Sequence, residues 1–593
     1  MKCISKIAAV AALAVASTAC SDLFEPAFEP SQDLNTVIKF PNYADAILYN
    51  AYILLPYSSG VNSDVATDDA VSNDFSNDYL KVATGSWTAN NGTLSYWKNG
   101  RGGIQYANLM LSVVDQVDFS DDPAMQQMFC DRLKGEAYGL RALFMYYLLR
   151  QHGGWVGGEL LGVPNILEPE DATSDFNQPR ASFKACVDQI MADVQAAADL
   201  LPLDYKNVAG ESEIPAKYAS IGVSTDMYNR ANGSDFSGRM SGRIARVIGA
   251  QTALLAASPA FSDGSGVEWS EAADRAAAIL DLQGGIAGIA PNGHLWYTAA
   301  EVGKLGTGGT GSELIWRSNI ETNNTIEGTN FPPSLYGTGR VNPTQNLVDA
   351  FPMANGYPIA DSRSGYDANN PYAGRDPRLS DFIVYNGSKW GHDNREIITG
   401  TYGTNNDALN AEQGHSTRTG YYLRKLLNGA NNLANTVNTT SDHVTARMRY
   451  TQLFLDYAEA ANEAWGPTNP GSHGYSAYDV VKAIRSRAGL GNNGTDAYLE
   501  SIKGDREAMR QLIRNERRIE LCFENVRFWD LRRWKANLNE PARGMRITNT
   551  GGRLHYEVIE VENRSYQDYM TYGPIPYNET LKFSNLVQND GWK

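Results

Sequence analysis

Apolar side chains recur at helical spacing at both ends of this 593-residue chain and lose that spacing in between. Leu140, Leu143, Phe144 and Tyr147 fall at i, i+3, i+4 and i+7, and Val187, Ile190, Met191 and Val194 repeat the pattern after Ser182. Ile519, Cys522, Phe523 and Val526 do so again near the C-terminus. A stripe with this period is buried by packing helix on helix. Further helices are predicted around 42–55, 98–116, 242–258, 270–281, 451–465 and 477–488. Their lengths and short connections suit antiparallel helix pairs stacked in a tetratricopeptide-like array, although the sequence shows no strict repeat of about 34 residues.

The middle differs in chemistry. From about Phe261 to Asp442 the chain is rich in Gly, Asn, Thr and Tyr, with the turn dipeptides Asn292-Gly293, Asn386-Gly387 and Asn428-Gly429. Short apolar runs such as Leu314-Ile315-Trp316 predict strands, and the aromatic content argues for order. The expected fold class is therefore mainly α. A helical-pair scaffold occupies about 41–260 and 443–535, a large irregular insertion containing short strands about 261–442, and a C-terminal segment 536–593, all in one domain.

The N-terminus bears on the compartment. Lys2 and Lys6 precede an unbroken apolar run, Ile7 to Ala16, and then Ser17, Thr18, Ala19 and Cys20. This is the layout of a secretory signal, too short to cross a bilayer as a helix. A cysteine directly after small residues predicts cleavage of 1–19 and lipidation of Cys20, with 20–40 as a tether. Ser17, where Leu is usual, and Asp22 depart from the commonest form of that signal. Removing Lys2 and Lys6 takes the formal charge from −16 to −18, a balance that speaks against nucleic acid or anionic headgroups as partners. Attachment would rest on the lipid alone, and several acyl chains hold firmly where one does not. Cys130, Cys186 and Cys522 lie in helical patterns, odd in number and without zinc spacing, and are expected to be structural thiols.

Near the C-terminus stands Ile513-Arg514-Asn515-Glu516-Arg517-Arg518-Ile519-Glu520-Leu521, continuing through Phe523-Glu524 to Arg527-Phe528-Trp529-Asp530-Leu531-Arg532-Arg533-Trp534. With Gly135-Glu136-Ala137 and Leu140-Arg141-Ala142, the stretches Tyr372 to Leu379 and Phe454 to Glu463, Pro574-Ile575-Pro576 and Gln588-Asn589, it resembles the SusD/RagB family of outer-membrane nutrient-binding lipoproteins. The interleaving of Arg514, Arg517, Arg518, Arg532 and Arg533 with Glu516, Glu520, Glu524 and Asp530 suggests local ion pairs on a structural helix. The resemblance implies a lipid-anchored protein on the cell surface that binds a glycan. It also implies a SusC-like TonB-dependent transporter as partner, over which the protein would act as a lid. Peptide-binding members keep a second ligand class open.

The resemblance further implies a shallow ligand site built from loops after the first helices and from the irregular middle. Glycan binding needs aromatic faces for the C–H surfaces of sugar rings and polar groups for their hydroxyls. Two stretches carry that chemistry. One offers Tyr79, Trp87, Asn90, Asn91, Trp97, Asn99 and Arg101; the other offers His294, Trp296, Tyr297 and Trp316. Trp87 and Trp296 stand among Gly, Ser, Thr and Asn and are the expected stacking platforms, whereas Trp97 and Trp316 also fit core positions. No HExxH or G-x-S-x-G arrangement occurs, so no catalytic residue, metal ligand or cofactor is assigned, and the protein is read as a binder and not an enzyme. A surface glycoside hydrolase, needing two carboxylates across a cleft, is the alternative from another class, and a pure scaffold without a saturable ligand is a third.

Overall fold

The computed structural model describes residues 38–491 and 494–593. The expected signal 1–19, Cys20 and the tether up to residue 37 lie outside the described residues.

The helices form where caps and periodicity coincide. α1 (Pro41–Ile53) packs on α2 (Trp97–Val113), and α2 on the thirty-residue α3 (Pro123–His152). Asp122 starts α3 by accepting from the backbone N–H groups of Ala124 and Met125, with Pro123 in the first turn, where its missing N–H costs nothing. Gly100 and Gly103 let α2 and α3 approach: a Cβ at Gly103 would lie 2.3 Å from the Phe144 ring. The array continues through α4 (Phe183–Leu200), α5 (Gly242–Ala257), α6 (Trp269–Asp281) and α7 (Tyr450–Trp465), each against the one before. α8 (Ala477–Arg487), opened by a Ser476–Asp479 capping box, and α9 (Arg506–Glu520) both pack on α7. The architecture is mainly α, a stack of helical pairs carrying an irregular insertion with short strands. α6 belongs to the helical core, so that scaffold runs past residue 260.

The strands are short and pair antiparallel in twos. β1 (Leu314–Arg317) pairs with β2 (Ala446–Arg449), and a longer hairpin, β3 (Ala542–Thr550) with β4 (Arg553–Glu562), closes the C-terminal part. Two large apolar cores result, with two smaller clusters beside them, one of which holds Trp87, Phe528, Tyr566 and Trp592. Of the large cores, one lies among the helices; the other gathers the irregular middle, β3 and Ile519, Cys522 and Phe523. Cys186 and Cys522 are buried free thiols and Cys130 is half-buried.

The structure alters two expectations around α9. Helical spacing predicted that the helix continues to Val526, yet it ends at Glu520, and Phe523 and Asn525 take left-handed backbone angles (φ 64° and 61°). Buried Asp64 accounts for the turn: its carboxylate accepts from the backbone N–H of Phe523 (3.1 Å) and of Asn525 (2.9 Å). The Asn525 side chain in turn accepts from the N–H groups of Asn62 and Ser63. The second alteration concerns the arginine-rich motif, which is structural and keeps one local pair, Arg533 with Asp530 (2.8 Å), but most of whose buried ion pairs reach further. Arg517 reaches Asp456 and Asp530, Arg378 reaches Glu516 and Glu520, and Arg485 reaches Glu516. α9 is thus a charged seam between the two cores.

Candidate functional site

A cleft of about 370 Å³ opens where the segment after α1, the helices α3, α5 and α7, β2 and the turn after α9 converge. Six aromatic side chains line it: Tyr57, Tyr79, Tyr96, Tyr146, Tyr147 and Trp529. Tyr146, Tyr147, Arg150 and Gln151 come from the last turns of α3, Gln251 from α5, Gln452 from α7, and Glu524 and Asn525 from the Asp64-held turn.

The aromatic lining is a connected set. The Tyr57 ring stands edge-on to Tyr147 (centroids 5.8 Å apart) and to Trp316 beneath it (5.6 Å). Tyr147 also meets Tyr96 (5.9 Å) and Tyr146 (5.4 Å). Arg150 lies 4.4 Å from the Tyr147 centroid and 4.7 Å from that of Trp529. Arg447 lies 4.9 Å from the Trp316 centroid and 5.9 Å from that of Tyr57. Residues two apart share a face of a regular strand, but register shifts on either side of Met448 separate Arg447 from Arg449. Arg449 turns instead to Glu313 (2.7 Å) and Glu524 (2.8 Å). Burial works to raise the Glu524 carboxyl, but Arg449 and Lys425 outweigh it and hold it below its ordinary range. Burial pushes the Tyr146 hydroxyl up to about 12, so it stays a neutral donor and acceptor.

The sequence-predicted residues fare unevenly. Tyr79 lines the cleft, whereas Trp316 is not part of the lining: it is fully buried behind Tyr57, with its indole N–H donating to the Gly238 carbonyl. Trp87, expected as an open platform, is only 3% exposed, closed in by Trp592 (4.9 Å), Phe528 and Tyr566. Its edge borders a smaller cleft of about 170 Å³ that also holds Asn90 and Asn91. Trp296, the other expected platform, and Tyr297 are 6% and 8% exposed and pack edge-to-face in the second core, away from the cleft lining. His294 is buried as well. Trp97 is buried with its ring edge-on to His152, Asn99 is exposed outside the cleft, and Arg101 pairs with Glu170 (2.7 Å). For Trp87 and Trp296 this corrects the expected exposure: Gly- and Asn-rich surroundings exposed neither tryptophan, because distant segments fold over both.

His152 fixes the end of α3 that carries Tyr147 and Arg150. Its Nδ1–H donates to the Pro574 carbonyl (2.6 Å), and burial pushes its pKa down to about 4. The unfolded chain therefore binds a proton between about pH 6.5 and 4 that folded His152 refuses, and stability falls as pH falls through that window. The contribution is about 3 kcal/mol at one pKa unit per ~1.4 kcal/mol. His152→Asn, which keeps a donor near the Nδ1 position, is expected to flatten this part of the profile. Urea midpoints for both proteins at about pH 7 and 4.5 check it, and parallel losses would refute the assignment.

No described helix is long and apolar enough to cross a membrane. Comparison with known proteins agrees with the architecture. A family model described as the SusD family matches residues 300–592, and one described as starch-binding associating with outer membrane matches residues 28–224. A SusD-like protein P2 of Formosa agariphila is 32% identical over 143 residues, 24% of this chain, so the match spans about a quarter (25%) of that curated relative's length. A SusD-like protein from Bacteroides fragilis has a TM-score of 0.70 at 22% identity, covering 96% of this chain and 100% of that one. A SusD-like carbohydrate-binding protein from the same species gives 0.67 at 21% identity, covering 92% and 99%. The two structural likenesses carry the fold, and the two family models, in order along the chain, carry the assignment: this chain belongs to the SusD family.

Proposed function

We propose that this protein captures a glycan in the Tyr57–Tyr147–Trp529 cleft and passes it to a SusC-like TonB-dependent transporter, doing no chemistry on it. The observation that carries this reading is the lining itself: half-buried aromatic rings interleaved with the amides of Gln151, Gln251 and Gln452. Rings suit the C–H faces of a sugar, amides and guanidinium groups suit its hydroxyls, and about 370 Å³ falls within the ~300–1,000 Å³ of small-ligand sites. Two or three such contacts support millimolar affinity, roughly −4 kcal/mol, weak enough for release. The family description of starch binding and outer-membrane association supports the class of ligand and the compartment. A lipid at Cys20 would supply the anchor, leaving the described domain on the cell surface.

Tyr147→Ala and Trp529→Ala are each expected to weaken glycan retention about tenfold in affinity electrophoresis across a polysaccharide panel. Retention equal to wild type in both variants would move the ligand elsewhere. New reducing ends on incubation with a retained polysaccharide would overturn the non-catalytic reading. Gentle detergent extraction is expected to bring down a large outer-membrane barrel with the protein; repeated recovery of the free protein would remove the transporter from the proposal.

A further inference from the structure

The cleft contains two cations with no counter-ion. Arg150 and Arg447 line it, and neither pairs with a carboxylate among the described residues. Each leaves its Nε buried and without a hydrogen-bond partner. Other buried arginines of this protein are satisfied in one of two ways: Arg378 meets Asp376, Glu516 and Glu520 and Arg517 meets Asp456, Glu459 and Asp530, whereas Arg180, Arg317 and Arg375 meet no acid among the described residues and donate to main-chain carbonyls. The one carboxylate in the lining, Glu524, is already engaged by Lys425 (2.6 Å) and Arg449 (2.8 Å).

Aromatic faces hold the two guanidinium groups in place, Tyr147 and Trp529 for Arg150, Trp316 and Tyr57 for Arg447. Such contacts are modest. The cost of withdrawing a cation from water outweighs them when nothing neutralises it. Burial accordingly pushes Arg447 below its ordinary pKa, with the nearby Tyr57 and Tyr52 opposing. The Tyr57–Tyr147 pair sits between the two arginines, one guanidinium on each ring. The result is a rigid, preorganised positive site whose charge balance is incomplete.

Resting on the reading of the cleft as a glycan site, we infer that it selects acidic saccharides, with Arg150 and Arg447 receiving carboxylate or sulfate groups between the aromatic platforms. A guanidinium presents a planar fork that matches either group bidentately, and charge-assisted bonds are about twice as strong as neutral ones. The overall charge of −16 does not prevent this. Fields from acids on the outer surface are screened over about 8 Å at physiological ionic strength, whereas an anion in the cleft is in contact with the cations. A neutral glycan would leave both cations uncompensated. An acidic peptide could supply the charge, but the amide-and-ring lining fits hydroxyl-bearing rings.

Matched polymers test the inference: dextran sulfate against dextran, and polygalacturonate against its methyl ester, with poly-glutamate as the peptide probe. The full mature protein is expected to bind at least one acidic saccharide tenfold or more tighter than its neutral counterpart. That preference is expected to shrink in about 0.5 M salt. Arg447→Gln and Arg150→Gln are each expected to weaken acidic binding tenfold or more, and Arg447→Lys, which keeps the charge, to recover part of it. Thermal midpoints identify any variant that has lost its fold, and Arg447→Lys against Arg447→Gln then separates charge from packing. Equal affinity within both matched pairs, or unchanged acidic binding in both glutamine variants, overturns the inference. Poly-glutamate binding as tightly as the preferred saccharide overturns the saccharide class. Dextran retention that depends on Trp529, without preference for an acidic form, sinks only the selectivity; no retention of any saccharide sinks the glycan reading with it.

Discussion

Replacing Arg378 with methionine is expected to lower folding stability by about 3–5 kcal/mol, among the largest effects a single substitution would have in this protein. Arg378 is completely buried, with nitrogens at 2.6 Å from Asp376, 3.0 Å from Glu516 and 2.8 Å from Glu520. Methionine fills much of the volume but leaves three carboxylates around an apolar group. Arg485 still meets Glu516 and Arg487 still meets Glu520, so part of that charge stays compensated; Asp376 forms no second ion pair among the described residues. The loss is read from the urea midpoint at neutral pH. Neutralising Glu516 in the same chain should return part of it, because the two changes share one network and are not additive. A variant within about 1 kcal/mol of wild type would show that the seam adds specificity without stability.

Trp87→Ala is expected to destabilise the protein by about 3–5 kcal/mol while leaving the glycan affinity of the folded fraction unchanged. The ring is 3% exposed and meets Phe528, Tyr566 and Trp592 edge-on, with the Arg532 guanidinium 5.1 Å from its centroid. Alanine would leave a cavity that three rigid neighbouring rings cannot collapse to fill. A stacking platform would behave in the opposite way, losing affinity at constant stability. Thermal unfolding and affinity electrophoresis on one preparation separate the two, and lost retention with an unchanged thermal midpoint would restore Trp87 to the ligand site.

The two variants also mark where sequence reasoning succeeded and failed. The arginine-rich run from Ile513 to Trp534 identified the family and a structural role, because its residue types and order are specific. It placed one pair, Arg533 with Asp530, and missed most of the others. Alternating Arg and Glu on one helix suggests pairs within that helix, yet Arg378, Arg485 and Asp456 come from other elements and displace them. The same run hid Trp529, the one tryptophan of the cleft lining, inside what read as a fold fingerprint. Tyr147 was hidden in a like manner: its spacing from Leu140, Leu143 and Phe144 marks it as core, and it lies on the same helix face at the mouth of the cleft. A signal was present in Tyr146-Tyr147 and Arg150 at the last turns before Gly153, where a helix ends and its side chains can line an opening. Trp316 does not line the cleft but packs behind two residues that do, Tyr57 and Arg447.

What the sequence by itself determined is the set of helices, from α1 to α8, and the family. Period and caps are local, acting over a few residues, and family motifs are read in order along the chain. The end of α9 escaped because Asp64, more than four hundred residues away, turns Phe523 and Asn525 out of the helix. The cleft escaped for the same physical reason on a larger scale. Its lining comes from segments near residues 57, 79, 96, 147, 251, 447 and 529, each with a bland local pattern. Only tertiary packing decides which aromatic rings are covered and which stay open, and which cations are left without an acid.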